Sequence, residues 1–138
     1  MTLDLIRLLI DFGFVILIWT VQLVIYPSFA YYSPSNLFKW HRLYTLRVTF
    51  IVLPLMFSQL VIAMVQLWNF QNWYTIGSSV LILVLWLLTF MVFVPLHQSI
   101  DKGDPKDNVC QKLVSKNWMR TVLWSILFVF SALNSLIL

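Results

Sequence analysis

The sequence has few charged residues, few glycines and a single cysteine. Charged residues make up 10% of the 138 positions, whereas a soluble domain of this size would have roughly 25%. Cys110 stands alone, so an internal disulfide is excluded, and a lone loop thiol indicates neither a zinc site nor a thiol enzyme. The N-terminus lacks the basic segment and cleavage site of a signal peptide, so we expect the first apolar stretch to be retained. Water is therefore not the main solvent of this chain.

The sequence instead contains apolar runs that are long enough to cross a membrane. Hydrophobic residues make up 61% of the sequence. A helix needs ~20 apolar residues to cross a hydrocarbon layer about 30 Å thick. Four stretches reach this length, at about residues 5–30, 41–68, 75–97 and 116–138. We therefore predict an all-α fold, an integral membrane four-helix bundle in one domain, whose surroundings are the lipid bilayer.

The basic residues lie almost entirely on one side of the predicted spans. With four spans, both termini share one side with the second connection, and the first and third connections lie on the other. Arg7 is the one basic residue on the terminal side. The other eight are Lys39, Arg42, Arg47, Lys102, Lys106, Lys112, Lys116 and Arg120. The positive-inside rule predicts both termini on the non-cytoplasmic side, so the net charge of +4 indicates topology and not a nucleic-acid partner.

Prolines are expected to interrupt the helices. We expect the first helix to end or kink at Pro27, and Pro54 should kink the second span. Pro95 closes the third span as Pro27 closes the first. Each returning span begins with Trp-x-Arg: Trp40–Arg42 and Trp118–Arg120. A parallel internal repeat would explain these motifs, and so would coincidence, because Trp, Arg and Pro are common at membrane interfaces.

Asp11 is an acidic residue inside a predicted span. A carboxylate at mid-membrane costs ~3 kcal/mol on insertion scales. One interpretation places Asp11 near the outer headgroups or in a pair with Arg7. The other makes it a buried proton or ion site.

Polar side chains from all four spans are predicted to meet at the cytoplasmic boundary, and this convergence is the candidate site. Its members are Gln22, Tyr26, His41, Tyr44, Arg47, His97, Asn117 and Arg120. Histidines from neighbouring helices can ligate a haem iron or a single metal ion. His41 and His97 are therefore the candidate metal ligands. The arginines would anchor an anionic group and the tyrosines would donate hydrogen bonds. Amphipathic side chains also collect at any membrane boundary. An alternative interpretation is therefore that these residues only mark the boundary and bind no ligand.

Several motifs resemble those of an uncharacterised family of small four-span bacterial membrane proteins. They are Trp19-x-x-Gln22-x-x-x-Tyr26-Pro27-x-Phe29, Val48-Thr49-x-Ile51-Val52-Leu53-Pro54-x-Met56, Val94-Pro95-Leu96-His97 with Gly103, and Leu113-Val114-x-x-Asn117-Trp118-x-Arg120-Thr121-x-x-Trp124. The resemblance covers nearly the whole chain and implies the four-span architecture and a bacterial inner (plasma) membrane, but no activity. That family has histidines near the positions of Ile25 and Tyr44. This chain lacks them, which weakens a metal site with many histidines.

Short segments also resemble two other four-span groups. One is the anthrone-oxygenase-like family, which oxidises polycyclic phenols. The other is the bacterial protoporphyrinogen oxidase, which shares Arg42-Leu43-Tyr44 at the start of span two. The oxidase's histidine in span one has no counterpart here, so its mechanism does not transfer.

These observations leave two main functional hypotheses. In the first, the protein binds a flat amphiphilic cofactor or substrate (haem, porphyrin, quinone or polycyclic phenol) at the cytoplasmic end, with an oxidoreductase as one form of this function. In the second, it is a non-catalytic accessory or structural subunit of a larger membrane complex, because its extramembrane surface is very short. A transporter of small lipophiles is a third hypothesis, which would require a homodimer at this chain length.

Overall fold

The computed structural model describes residues 2–103, 105 and 108–137, and these residues form four long helices. They are α1 (Leu3–Tyr31), α2 (Pro34–Asn69), α3 (Trp73–Asp101) and α4 (Val109–Ile137). Each helix is long and apolar enough to cross a membrane. The prediction of an all-α chain with four membrane-crossing helices is therefore confirmed, and the protein is built as a multi-pass membrane bundle.

The helices begin and end at short connections with local hydrogen bonds. At the start of α3, the Asn72 side chain accepts hydrogen bonds from the backbone N–H groups of Tyr74 and Thr75, and Thr75 Oγ1 accepts one from the backbone N–H of Asn72. Beyond α3, Gly103 has a φ of 71°, a conformation that glycine adopts without steric cost. The solvated turn predicted at 101–108 starts later than expected, because Asp101 is still helical. Its positions 104, 106 and 107 lie outside the described residues.

Each helix packs on two neighbours, α1 and α3 both contacting α2 and α4. The middle of the bundle is apolar. Phe14 of α1 stacks on Trp124 of α4 with ring centroids 3.9 Å apart, and Met56, Ile82 and Leu127 surround this pair in one buried cluster. Many large apolar side chains lie on the outside, as expected for a protein whose solvent is lipid.

Two of the helices contain a π-helical turn that ends two residues before a proline. In α1 the turn is Val21–Ile25 and in α3 it is Thr89–Phe93. Of the two outcomes expected at Pro27, an end or a kink, the end is wrong, because α1 continues to Tyr31, and α3 likewise continues past Pro95. A proline cannot donate to the carbonyl four residues earlier and its ring crowds that carbonyl. The wider turn relieves this conflict within a continuous helix.

The prolines therefore shape the helices without ending them. The second helix also runs through its proline, Pro54, as a single α-helix of 36 residues. Since Tyr26 follows the π-turn of α1 and His97 follows that of α3, the two turns set the direction of both side chains. π-Turns inside α-helices are frequent at functional sites.

Candidate functional site

A network of buried and partly buried polar side chains lies at one end of the bundle, beside the α1–α2 and α3–α4 connections. This end is termed the loop end, and the opposite end, with both chain termini, the terminal end. One residue or more from each helix takes part. We define the loop-end network as Tyr26 of α1, His41 of α2, His97 and Asp101 of α3, and Arg120 of α4.

Four hydrogen bonds join these five side chains in a line. His41 Nδ1 lies 2.7 Å from Asp101 Oδ1, and His41 Nε2 lies 2.8 Å from His97 Nδ1. His97 Nε2 is 2.8 Å from the Tyr26 hydroxyl. The hydroxyl oxygen in turn accepts a hydrogen bond of 2.9 Å from Arg120 Nη2. The network therefore connects a cation on α4 to a carboxylate on α3 through one phenol and two imidazoles.

The protons of this line follow from its two ends. An ionised carboxylate only accepts hydrogen bonds, and a guanidinium only donates them. With both imidazoles neutral, His41 Nδ1–H therefore donates to Asp101, which leaves His41 Nε2 to accept from His97 Nδ1–H. His97 Nε2 then accepts from the Tyr26 O–H. With this assignment from the network, every hydrogen bond points from Arg120 towards Asp101.

The network runs from the interior to the surface. His41 is 0% exposed and Tyr26 is 3% exposed, whereas the Asp101 side chain is 30% exposed. Two further bonds hold Asp101 in place. Thr45 Oγ1 donates to Asp101 Oδ2 at 3.2 Å, and Arg42 Nε donates to the Asp101 backbone carbonyl at 2.8 Å.

Helical spacing explains why these side chains share one location. His41 and Tyr44 are three residues apart on α2, and both are buried on the face predicted from the sequence. His97 and Asp101 are four residues apart on α3 and so also share a face. Phe29 packs edge-on against His41, with ring centroids 5.3 Å apart. The imidazole is therefore fixed on one side by an aromatic ring and at both nitrogens by hydrogen bonds.

Arg120 is held by α4 itself and by an aromatic ring of α3. Its Nε donates to Asn117 Oδ1 at 2.9 Å. Its guanidinium carbon lies 3.6 Å from the centroid of the Phe93 ring, which is a cation–π contact. These contacts leave the guanidinium without a carboxylate partner among the described residues.

A cavity of about 330 Å³ adjoins the network and reaches from the loop end towards the middle of the bundle. Its walls are mostly apolar: Phe14, Leu17, Ile18, Val21, Val48, Val52, Leu53, Met56, Phe90, Phe93, Val94 and Trp124. Four residues of the loop-end network, Tyr26, His97, Asp101 and Arg120, line the cavity at the loop end, while Thr49 and Thr89 lie among the apolar walls. The cavity is thus a mostly apolar slot whose charged groups lie at one end.

Most of the residues predicted from the sequence lie at this site. Tyr26, His41, His97 and Arg120 are hydrogen-bonded to one another, and Tyr44 lines the cavity. Two other predicted residues support the site. Asn117 orients Arg120, and Gln22 ties α1 to α4 by donating to the Val114 carbonyl and accepting from Thr121. Neither amide lines the cavity.

The structure does not bring Arg47 to the site, and its predicted role as an anion anchor is corrected. The residue is exposed and is not part of the cavity wall. Six residues separate it from His41, and at about 100° per residue this places it some 240° around the helix. Arg47 therefore faces away from the network on the outer surface of α2.

The geometry does not suit a metal ion shared by His41 and His97. All four ring nitrogens are engaged in hydrogen bonds, and the nitrogens that face each other are 2.8 Å apart. Bonds of about 2 Å to a shared ion at a tetrahedral angle would hold them more than 3 Å apart. Within the described ranges, no group of three or more His, Cys, Asp or Glu side chains could hold a metal ion. The residues therefore fit neither a shared metal nor a haem iron between the two rings.

Asp101 belongs to the site although the sequence pattern predicts a solvated turn without chemistry at this position. The turn signal of Gly103 and the nearby proline hid the continuation of α3. The signal that could have found Asp101 is its four-residue spacing from His97, which puts both side chains on one face of a helix. The contact of Phe93 with Arg120 was also not predicted, because nothing in the sequence distinguishes a phenylalanine that makes a cation–π contact from others in an apolar run.

A second buried network lies at the terminal end. Arg7 and Asp11 are both 0% exposed, and Arg7 Nε lies 3.1 Å from Asp11 Oδ2. Gln59 and Ser131 donate hydrogen bonds to Asp11, and Gln66 accepts one from Arg7 at 3.0 Å. We define these five residues as the terminal-end network. The expectation that Asp11 pairs with Arg7 agrees with this geometry, and both side chains lie inside the bundle.

Comparisons with known proteins add no constraint on the function. No protein-family model, curated protein or solved structure matches the chain. The function is therefore inferred from the geometry of the two ends of the bundle.

Proposed function

We propose that the protein binds a flat amphiphile of the quinone or polycyclic-phenol class in the loop-end cavity. The observation that carries this proposal is the division of the cavity into apolar walls and one polar end. Ligand pockets typically have volumes of about 300–1,000 Å³ and a few polar groups among apolar ones. A cavity of about 330 Å³ lies at the small end of this range and suits a compact ring system.

The polar end suits a ligand that carries oxygen. Arg120 offers a positive charge that is not paired with a carboxylate among the described residues, and charge-assisted hydrogen bonds to oxygen are stronger than neutral ones. Tyr26 and His97 line the same end and can exchange protons. Haem and porphyrin are supported less well than quinones and phenols, because both histidines are already engaged in hydrogen bonds.

The ligand would reach the cavity from the lipid. Three lining residues on α2 and α3 are exposed at the surface of the bundle: Thr49, Phe90 and Gln98. The cavity therefore opens between these two helices. A lipophilic ring can diffuse in the bilayer and enter sideways, while its oxygen points to the loop end. From the distribution of basic residues we place the loop end on the cytoplasmic side, and from the resemblance to small four-span bacterial proteins we place the protein in a bacterial inner membrane.

This site would also serve an oxidoreductase. Quinones and hydroquinones take up and release protons together with electrons, so a redox reaction needs groups that exchange protons beside the ring. The residues of this chain would bind the ring, orient its oxygen and exchange the proton.

Equilibrium dialysis of the purified protein against decylubiquinone tests the proposal. The wild type in detergent should bind the quinone saturably above the level of protein-free micelles. Val48→Trp places a large side chain in the cavity and should weaken binding by about tenfold or more, which corresponds to ~1.4 kcal/mol. Ile51→Trp is the matched control, since Ile51 lies on the same helix, is 57% exposed and is not part of the cavity wall. It should bind as the wild type does.

Absence of saturable binding by the wild type would overturn the proposal. Equal loss of binding in the two tryptophan variants would also count against the cavity, because only one of them reaches it. In that case the second hypothesis, an accessory subunit, becomes the better one. It predicts that the protein co-purifies with a larger membrane partner in mild detergent.

A further inference from the structure

We propose that the loop-end network removes a proton from a hydroxyl of the bound ligand and carries it to water at Asp101. The substrate class is then narrower than flat amphiphiles in general: it is phenols and hydroquinones, whose hydroxyl can ionise. This inference rests on the proposed function, because a proton can be removed only from a ligand that occupies the cavity.

The path has one end at the cavity and the other at the surface. Tyr26 and His97 line the cavity, and Asp101 exposes 30% of its side chain. Between them lie three hydrogen bonds of 2.7–2.8 Å. Each of the intervening groups both accepts and donates a proton, since a phenol and a neutral imidazole can do both.

The proton transfer is balanced without any electron carrier. The ligand hydroxyl gives its proton to the Tyr26 oxygen as the Tyr26 proton passes to His97 Nε2. The Nδ1 proton of His97 passes to His41 Nε2, and the Nδ1 proton of His41 passes to the Asp101 carboxylate. The ligand becomes an oxyanion and Asp101 a neutral acid, which releases its proton to water. Both histidines change tautomer and no other group changes charge.

The charges at the two ends favour this direction. The Arg120 guanidinium donates to the Tyr26 oxygen at 2.9 Å and so lies beside the point where the ligand oxyanion forms. A fixed cation there stabilises developing negative charge. Asp101 accepts the proton transiently at the far end and passes it to water, which its partly exposed side chain can reach. Transfer in the opposite sense would begin from hydrogen bonds that all point the wrong way.

The fluorescent photoacid 2-naphthol provides a direct test. It is a flat ring system with one hydroxyl, and its excited state loses the proton only where an acceptor is connected. Naphthol and naphtholate emit at different wavelengths, so their emission ratio reports proton removal. In vesicles that contain the wild-type protein, we expect bound 2-naphthol to show naphtholate emission above the level of protein-free vesicles.

Asp101→Asn is the decisive variant. The asparagine side-chain oxygen can still accept the hydrogen bond of His41, but the amide cannot take up the proton. We expect the naphtholate-to-naphthol emission ratio of the bound ligand to fall by about tenfold or more, measured at a concentration of 2-naphthol that saturates the variant in dialysis. Ser99→Ala is the matched control, because Ser99 lies on the same turn of α3 and donates only to the carbonyl of Leu96. It should behave as the wild type does.

A second measurement does not depend on any variant. In D₂O the rise of naphtholate emission from the wild-type complex should slow, since several protons move together. Normal emission from Asp101→Asn that still binds 2-naphthol would overturn the relay and leave the binding proposal intact. If the wild type does not bind 2-naphthol or decylubiquinone in dialysis, the proposed function itself fails.

Discussion

The two ends of the bundle each hold one arginine and one aspartate, buried at the terminal end and partly exposed at the loop end, and they arrange these charges differently. At the terminal end, Arg7 and Asp11 are in direct contact at 3.1 Å. At the loop end, Arg120 and Asp101 are joined only through three other side chains. In a direct pair each charge neutralises the other, whereas a separated pair leaves each charge able to act on a third group.

The groups around the charges differ in the same way. Gln59, Gln66 and Ser131 surround the terminal-end pair, and amides and aliphatic hydroxyls are poor acids and bases. A phenol and two imidazoles fill the corresponding place at the loop end, and each of these groups can accept a proton at one site and donate one. The terminal-end network therefore acts as an anchor between helices, and the loop-end network is suited to chemistry.

The largest expected effect is the removal of one partner from the direct pair. Asp11→Leu leaves the Arg7 cation fully buried without its carboxylate. Breaking a buried ion pair in this way costs about 3–5 kcal/mol, so we expect a loss of that size in the free energy of unfolding. Unfolding by SDS titration in mixed micelles, followed by far-UV circular dichroism, measures it.

The double variant Arg7→Leu with Asp11→Leu separates charge from packing. Replacing both members of a buried pair by apolar residues is often close to neutral. We expect the double variant to be more stable than Asp11→Leu alone. A double variant that is less stable than the single one would show that the pair acts through its hydrogen bonds to Gln59 and Gln66.

A smaller effect distinguishes the two networks through a matched pair of tyrosines. Tyr26→Phe leaves Arg120 Nη2 and His97 Nε2 without the hydroxyl that joins them, and buried polar groups without partners cost about 1–3 kcal/mol. Tyr74→Phe removes one hydrogen bond of 3.2 Å to Ser131, which keeps its bond to Asp11. Its cost should be below about 1 kcal/mol. The same SDS titration compares the two variants. An equal loss of unfolding free energy in both would contradict the hydrogen bonds assigned to the loop-end network.

The smallest effect should come from the exposed arginine of α2. Surface substitutions of this kind usually change stability by less than about 0.5 kcal/mol, so Arg47→Ala should leave both the unfolding free energy and the affinity for decylubiquinone unchanged. Arg120→Ala should weaken quinone binding by about tenfold. Dialysis decides between them: a loss of affinity in Arg47→Ala would mean that the ligand contacts the outer face of α2.

Hydropathy and helical periodicity predict much of this structure. The four helices follow from runs of apolar residues, because the hydrocarbon layer sets their length. Antiparallel packing of four spans brings alternate connections to one end, which is why the positions of His41, His97 and Arg120 along the chain suffice to place them together. The common face of His41 and Tyr44 follows from their spacing alone.

The parts that could not be predicted depend on local backbone geometry and on packing. Whether Pro27 ends a helix or is absorbed by a π-turn depends on how neighbouring helices hold the chain, and the pattern of residues is the same in both cases. Asp101 was missed because a turn signal two residues later outweighed its spacing from His97. The hydrogen bonds between the five side chains of the loop-end network could not be predicted. Helical spacing indicates which face of a helix a side chain occupies, but not how far its polar atoms lie from those of another helix.

The π-turns make the loop end sensitive to single-residue changes in chain length. Each turn holds one residue more than a regular helix would need, so a deletion of one residue within 21–25 or 89–93 could restore ordinary α-helix. Everything beyond the deletion would then rotate by about 100°. Shortening α1 in this way would swing the Tyr26 hydroxyl away from the imidazole that it contacts, without changing any side chain that takes part.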